Sequence, residues 1–174
     1  MKPLRPFPLP IHVGTDICQI SRIHAILSGH QRLRFIDRIL TSDEPSRRDS
    51  RLQATLHLNH SAPARTSKAT RDNNGGVEDS EALLWKAATF MAGRFAAKEA
   101  VIKAHPHLHL TFHDISIERL EQEGSRLGSG PPVARIKITA DADHDQSALL
   151  SISHDGDYAT AVCIGAAYDA DKWK

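Results

Sequence analysis

Hydrophobic and polar residues alternate near the start of the chain and then adopt a helical spacing. The stretch IHVGTDI alternates over residues 11–17 and breaks at Gly14, which predicts a short strand with Asp16 at its end. Further along, hydrophobic residues recur three or four positions apart in two segments, with a break at Gly29 between them. We therefore expect a strand followed by two helices. The apolar positions of these helices are Ile20, Ile23, Leu27, Phe35, Ile39 and Leu40.

A longer helical pattern begins at Ala82 and ends before Pro106. Proline cannot continue a helix, and it biases the preceding residue away from helical backbone angles, so the helix end is predicted within a residue or two. One side of this helix is mostly small and apolar, which allows a sheet or another helix to approach closely. The residues on that side are Phe90, Ala97, Ala100, Val101 and Ala104.

After the central helix the apolar period changes to two. The segments ISIERL and VARIKIT predict one pair of strands, and LLSIS and YATAVCIGAAY predict a second pair. The second pair turns around the sequence Asp155-Gly156, which favours a tight hairpin. Together these elements predict an α+β fold in which an antiparallel sheet packs on a long central helix.

Residues 46–80 interrupt this pattern with serine, arginine, asparagine, glycine and threonine and with few large apolar residues. Such a segment buries too little surface to offset the entropy of ordering it. We therefore expect a mobile insertion at about residues 46–80. The chain length of 174 residues favours a single domain over residues 1–174.

The charge balance narrows the classes of partner. The chain has 22 basic and 21 acidic residues, so no general attraction to nucleic acid or to an anionic membrane is expected. No apolar run approaches the roughly 20 residues of a membrane-spanning helix. Cys18 and Cys163 lie far apart and match neither a disulfide framework nor a zinc-finger spacing.

Charged residues occupy the other side of the central helix. Phe95, Glu99 and Lys103 are successive i, i+4 neighbours, and Lys98 is expected beside them. One interpretation is an exposed Glu–Lys pair, worth about 0.2–0.5 kcal/mol. The other makes Glu99 a metal ligand and Lys103 a phosphate contact. Mg²⁺ prefers one or two carboxylates with phosphate oxygens and water, so Asp16 is the candidate second ligand, unless it caps the following helix instead.

Three separated segments carry a resemblance to a known family. VGTDI with ISRI, FMAGRFAAKEAVIKA, and SISHDGDYATAVCI occur in this order and closely resemble holo-[acyl-carrier-protein] synthase, the small type of phosphopantetheinyl transferase. RFIDRILTSDE and FHDISIERL are similar to the family's intervening segments. The resemblance implies a Mg²⁺-dependent enzyme that transfers 4′-phosphopantetheine from coenzyme A to a serine of acyl carrier protein and releases adenosine 3′,5′-bisphosphate.

The resemblance also implies roles for residues in the motifs. Asp16 and Glu99 would bind Mg²⁺ on the coenzyme A pyrophosphate, while Lys103 and Lys98 would contact phosphate oxygens. Glu99 is in addition a candidate acceptor for the serine proton. Arg94 is expected to support the site or an interface.

Two further positions match coenzyme A contacts of the family. These are His154 in SISHD, for which a bond within its own turn is the alternative, and Pro132 in the Gly130-Pro131-Pro132 turn. The turn lacks the lysine that the family has, and His105-Pro106-His107 replaces the family's aromatic residue and glycine-rich turn. Local coenzyme A contacts are therefore expected to differ there.

The resemblance further implies a homotrimer with each active site between neighbouring subunits. Acyl carrier proteins are acidic, and the amino-terminal helical region is basic, so this region is expected either to steer the carrier protein or to be a solvated basic face. Its basic residues are Arg22, Arg32, Arg34 and Arg38.

The basic leader MKPLRPFPLP, together with the insertion, favours a mitochondrial over a cytoplasmic enzyme.

Two other functions compete with this interpretation. A non-catalytic module that binds carrier proteins would retain the same fold and motifs. A metal-dependent hydrolase or oxidase is suggested by the histidine-rich stretch HPHLHLTFH, because His107 and His109 would share one face of a strand.

Overall fold

A computed structural model describes residues 9–56, 74–119, 130–137 and 144–167 of the chain. Within these residues it contains five strands, four α-helices and two short 3₁₀ helices. The 3₁₀ helices are Pro45–Arg48 and Phe112–Asp114. The α-helices are α1 (Ile20–Ser28), α2 (Arg32–Ile39), α3 (Ser50–Leu56) and α4 (Asn74–Ala104). The strands are β1 (Ile11–Gln19), β2 (Ile115–Arg119), β3 (Pro132–Ile136), β4 (Gln146–Asp155) and β5 (Tyr158–Ala166).

The strands form one antiparallel sheet in the order β1-β5-β4-β3-β2. Helix α4 packs against the sheet, and α1 and α3 pack against α4. The α+β fold with a long central helix is therefore confirmed, as are both predicted strand pairs, β2 with β3 and β4 with β5. In the part of the chain that the structure describes, no helix combines the length and apolarity needed to cross a membrane.

The small apolar side of α4 lies in the core, as predicted. Ala97, Ala100 and Ala104 have no exposed surface, and Val101 is equally buried. The approach of β1 is closest at Gly14, where an added Cβ atom would lie 2.0 Å from the carbonyl oxygen of Ala100. Only glycine fits at this crossing, because any side chain would overlap the helix backbone.

The glycine does not end the strand. β1 continues to Gln19, and Asp16 pairs with Ala161 in the middle of the β1–β5 ladder. The prediction of Asp16 at a strand end is therefore wrong, because Gly14 serves the helix crossing rather than a turn. Asp16 also does not cap α1, whose N-cap residue is Gln19.

The carboxylate at the start of α1 comes instead from the β4–β5 hairpin. Asp157 accepts hydrogen bonds from the backbone N–H of Ser21 at 2.7 Å, from the Ser21 hydroxyl at 2.7 Å and from the Gln19 amide at 2.8 Å. These bonds, from Ser21 first and then Gln19, lower the pKa of Asp157. Its neighbour Gly156 has a φ of +52°, which glycine adopts readily. The hairpin thus fixes the junction between β1 and α1 and, through it, the strand that carries Asp16.

Part of the predicted insertion is packed. Helix α3 lies within residues 46–80 and buries Leu52 and Thr55 completely, and α4 begins at Asn74 rather than at Ala82. The expectation of an unpacked segment fails for residues 46–56, because Leu52 finds a place in the core despite its polar neighbours. Residues 57–73 lie outside the described residues.

Candidate active site

Asp16 and Lys103 meet where β1 crosses α4. The Lys103 ammonium donates to Asp16 Oδ1 at 2.8 Å and to the carbonyl oxygen of Thr15 at 3.0 Å. The Asp16 side chain is 15% exposed and that of Lys103 is 50% exposed. Glu99 lies one helical turn before Lys103 and is partly buried. Asp16 thus lies beside the side of α4 that carries Phe95, Glu99 and Lys103, here called the ridge, and a ligand can reach this ridge from solvent.

The second oxygen of Asp16 is suited to a cation. Among the described residues, Asp16 Oδ2 is buried and has no hydrogen-bond partner. A buried carboxylate oxygen without a partner is costly unless a cation or water completes it. No group of three His, Cys, Asp or Glu side chains in the described residues converges as a metal cage. Two carboxylates with remaining positions for phosphate and water fit Mg²⁺, which dehydrates reluctantly.

Lys98 lies in a different environment from Lys103. Its side chain is fully buried, and its ammonium donates to Glu44 Oε2 at 2.5 Å, Ile39 O at 2.7 Å and Phe112 O at 3.0 Å. Burial lowers the pKa of Lys98, while Glu44 opposes this effect. An ammonium has three donors, and all three are used here. The structure therefore contradicts the predicted contact between Lys98 and a coenzyme A phosphate.

Glu44 is the buried counterion of Lys98, and the sequence pattern did not reveal it. It is fully buried, and its second oxygen accepts a hydrogen bond from the backbone N–H of Ile117 at 3.4 Å. A signal for it existed in Lys98 itself, since a lysine between the buried Ala97 and Val101 requires a counterion. Nothing in the spacing identified which acid supplies it.

His154 and Pro132 line a separate basic cleft of about 160 Å³. Three arginines share this cleft, namely Arg51, Arg94 and Arg119. Such a set of guanidinium groups attracts phosphate, because guanidinium binds phosphate oxygens in a bidentate manner. The two predicted coenzyme A contacts are therefore brought together, although their role stays a prediction.

Arg94 holds one wall of this cleft. Its Nε donates to the Ser46 hydroxyl at 2.8 Å, and its guanidinium lies 4.5 Å from the centre of the Phe90 ring. The Arg51 guanidinium lies 4.4 Å from the same ring. Burial, followed by repulsion from Arg51, lowers the pKa of Arg94 to about 10. Arg94 still carries its charge at neutral pH, so a phosphate would relieve repulsion between the cations.

The two groups of predicted site residues face different sides of α4. Arg94 and Glu99 are five positions apart, which at 3.6 residues per turn separates them by about 140° around the helix. One chain therefore presents Asp16, Glu99 and Lys103 on one side and the cleft of His154 on another.

A groove with an apolar floor and a basic rim adjoins the ridge. Its volume is about 810 Å³, and Phe95 belongs both to its wall and to the ridge of Glu99. Arg32 lies apart from the groove, since it donates to Thr55 O at 2.8 Å. The apolar lining includes Ile23, Ile26 and Phe35, and the basic lining is Arg22, Arg34 and Arg38.

The sheet also exposes apolar side chains. Val13 of β1 and Leu149 of β4 both pair with Ile164 of β5, so the three form a row across the strands. Contiguous apolar surface of this kind commonly marks an interface between proteins. Its large exposed members are Val13, Ile17, Leu149, Tyr158, Val162 and Ile164.

The histidine-rich stretch does not form the strand that a histidine metal site required. Residues 107–110 have no regular secondary structure, and α4 ends at Ala104. His105 is buried, with Nδ1 2.8 Å from Val101 O, and its ring packs where a Cβ atom at Gly165 would approach to 2.4 Å. The sharing of one strand face by His107 and His109 is therefore contradicted.

Comparisons with known proteins show the family to which the chain is similar. Residues 12–163 match the sequence profile of the 4′-phosphopantetheinyl transferase superfamily. The chain is 31% identical over 168 residues to "4′-phosphopantetheinyl transferase B, mitochondrial" of Aspergillus fumigatus, with 94% of this chain and 98% of the relative covered. It is 32% identical to a holo-[acyl-carrier-protein] synthase of Bacillus pumilus, with 86% of this chain and 89% of the relative covered.

A solved structure shows the same fold. The holo-ACP synthase of Plasmodium yoelii superposes with a TM-score of 0.51 at 21% sequence identity, with 91% of this chain and 95% of the other covered. At this identity the likeness concerns the fold.

Proposed function

The chain belongs to the 4′-phosphopantetheinyl transferase superfamily, and from that premise we propose that Asp16 and Glu99 hold the Mg²⁺ ion of its active site. The enzyme transfers 4′-phosphopantetheine from coenzyme A to a serine of apo acyl carrier protein and releases adenosine 3′,5′-bisphosphate. The observation that supports the metal site most directly is the buried, unpartnered Asp16 Oδ2 beside the solvent-accessible ridge.

The reaction requires the serine oxygen to attack the pantetheine-bearing phosphorus while the bond to the leaving nucleotide breaks. A bound Mg²⁺ ion would neutralise charge on the pyrophosphate. Lys103 is half exposed, so its ammonium can turn from Asp16 to a phosphate oxygen. Glu99, on the same ridge, is the proposed acceptor of the serine proton.

The cleft of His154 and Pro132 is the proposed site for the other phosphate groups of coenzyme A. Its arginines supply the charge that such a ligand needs. Because this cleft and Glu99 face different sides of α4, we propose that a neighbouring subunit completes each active site within a homotrimer. The apolar row of Val13, Ile164 and Leu149 supports burial of the sheet between subunits.

The groove between α1 and α2 is the proposed docking site of the carrier protein. Its basic rim, which includes Arg34 and Arg38, suits an acidic partner, and its apolar floor suits a helix face. Phe95 connects the groove to Glu99, so a docked carrier would present its serine at the ridge. The proposed compartment is the mitochondrion, supported by the name of the Aspergillus fumigatus relative.

Intact-mass measurement of an apo carrier protein tests the function. We expect a mass gain equal to phosphopantetheine when the carrier is incubated with this protein, coenzyme A and Mg²⁺, and no gain with EDTA. A non-catalytic carrier-binding module would bind the carrier without any mass gain. Absence of a gain with several apo carriers would contradict the transferase assignment, and an EDTA-insensitive gain would contradict the metal site.

Subunit mixing tests whether active sites are shared. Glu99→Gln subunits and His154→Ala subunits are each expected to transfer poorly. After mixing and reassembly, some sites would combine an intact Glu99 with an intact His154 from the neighbouring subunit, and activity would partly return. Activity that stays at the level of the separate variants, in an oligomer shown by light scattering to contain both, would contradict shared sites.

A further inference from the structure

The buried ammonium of Lys98 joins four separate segments of the chain. Its acceptors are Ile39 O at the end of α2, Glu44 Oε2 in the following loop and Phe112 O in the 3₁₀ helix after α4. Lys98 itself lies on α4. A single side chain therefore sets the distance between α2, α4 and the segment that precedes β2.

These segments carry the proposed docking groove. Helix α2 supplies Arg34, Phe35 and Arg38 to it. Phe112 packs against Phe95 with ring centres 5.6 Å apart, and Phe95 lines the groove. The bonds of Lys98 thus connect the groove to the helix that carries the proposed metal ligand.

Stability alone does not account for a charged pair at this place. A buried ion pair loses much of its Coulombic gain to desolvation, and well-packed apolar residues of similar size are often equally stable or more so. Beyond packing, the pair fixes the local geometry, because each hydrogen bond of Lys98 fixes the position of its acceptor.

We propose that Lys98 and Glu44 are positioning residues for the transfer reaction, which hold the carrier groove of α2 in register with Glu99 on α4. This inference rests on the proposed function, because it takes the groove as the carrier site and Glu99 as a metal ligand. Lys98 directly precedes Glu99, so the bonds that fix Lys98 also fix the rotation of α4 at Glu99. The carrier serine is then delivered at a set distance from the reacting phosphorus.

The double variant Glu44→Leu/Lys98→Met separates positioning from stability. Both charges are removed together, so neither is left buried without a partner, and we expect a thermal midpoint within roughly 5 °C of the wild type. The transfer rate should nevertheless fall at least about tenfold, because a displacement of about 1 Å can reduce a rate by up to 100-fold. Coenzyme A affinity should stay within about twofold, since the residues of the arginine cleft are unchanged.

Binding of labelled apo carrier protein, measured by fluorescence anisotropy without coenzyme A or metal, provides a readout independent of catalysis. We expect its dissociation constant to change less than about threefold, because the arginines of the groove remain. A lower kcat with nearly unchanged carrier binding is the result expected when the groove on α2 is no longer aligned with Glu99 on α4. A merely structural role predicts a lower thermal midpoint and an unchanged kcat for the folded protein.

A matched control is the exposed pair of Asp43 and Lys137, whose charged atoms lie 3.6 Å apart near the same loop. The variant Asp43→Asn/Lys137→Met should keep wild-type kcat and carrier affinity.

Wild-type kcat in a folded Glu44→Leu/Lys98→Met protein would overturn the positioning role while leaving the proposed function intact. If that variant does not fold, Glu44→Gln/Lys98→Met serves instead, because the three bonds of the ammonium are lost while residue 44 keeps its size, and an unchanged kcat there would equally overturn the positioning role. Inactivity of the wild type would contradict the proposed function itself.

Discussion

Lys98 and Lys103 lie five positions apart on α4, and each bonds a carboxylate that is distant in sequence. The side chains of Lys98 and Glu44 have no exposed surface, whereas Lys103 is 50% and Asp16 is 15% exposed. The buried lysine uses all its donors on protein atoms, so it cannot turn to a substrate. The exposed lysine can exchange its partner for a phosphate. Burial, rather than residue type, separates a structural cation from one that is accessible to a ligand.

The largest expected effect is on stability at the buried lysine. Lys98→Met leaves Glu44 as an unpaired buried charge, which should lower the free energy of unfolding by about 3–5 kcal/mol. Lys103→Met removes a partly exposed ion pair, so its effect should be at most about 1 kcal/mol. Urea unfolding followed by circular dichroism measures both. Equal effects of the two variants would contradict the distinction between them.

The next effect is on catalysis at the two partly buried acids, Asp16 and Glu99. Asp16→Asn and Glu99→Gln should each slow transfer by about 100- to 1,000-fold, because each removes a charge that stabilises the transition state through the metal. Both side chains are partly buried, but each substitution keeps an oxygen acceptor of the same size, so the free energy of unfolding should change by at most about 1 kcal/mol. Single-turnover transfer with saturating Mg²⁺ and coenzyme A measures the rate. Asp37→Asn, at an exposed acid bound to Arg47, is the control and should transfer at the wild-type rate.

Sequence periodicity was sufficient to predict the presence of the strands and of α4, because burial of one face imposes a period of two or about 3.6 on apolar residues. It was also sufficient to select Glu99 and Lys103 as neighbours on the exposed side. Periodicity was insufficient to predict that Lys98 is buried. The same motif contains both lysines, and the position of a residue on a helix does not show what packs over its side chain. The buried surface over Lys98 comes from Ile39, Glu44 and Phe112, which lie far away along the chain.

Two other features of the fold were not predicted from the sequence, for related reasons. Helix α3 was not predicted because a polar composition averaged over residues 46–80 obscured the core position at Leu52. A cap from Asp16 was one of two alternatives for the start of α1, because Asp16 is the acid nearest in sequence, whereas the structure supplies the Asp157 carboxylate from near the opposite end of the chain. Local patterns thus identify elements, but partners across the fold depend on the topology of the sheet.

A smaller effect is expected at the exposed arginines of the groove. Arg34→Glu and Arg38→Glu should each reduce kcat/KM for the carrier protein by about tenfold at low salt, because they reverse the attraction to an acidic partner. The KM for coenzyme A should not change. Raising the salt concentration should narrow the difference from the wild type, since screening weakens exposed charges. Arg48→Glu changes an exposed arginine outside the groove and should not alter the salt dependence; an equal loss there would contradict a localised docking site.

The smallest effect concerns a buried histidine compared with an exposed one. Burial lowers the pKa of His105 below its ordinary value of 6.5, the bond to Val101 opposes this shift, and His107 and His12 reinforce it. The unfolded chain therefore binds more protons at this residue just below pH 6.5 than the folded chain does. Stability from the neutral ring is complete above about pH 6.5 and is lost as the pH falls through the lower folded value.

Urea midpoints measured between about pH 7.5 and about pH 5.5 test this linkage. The wild type should lose stability on acidification, and His105→Gln should lose less, because the substituted side chain does not titrate. Since the two proteins differ only at residue 105, the informative quantity is the difference between the two slopes. His30→Gln, at an exposed histidine, should keep the wild-type slope. Identical slopes for wild type and His105→Gln would mean that burial of this ring has no electrostatic consequence, and the contrast between buried and exposed charges would then be confined to the lysines.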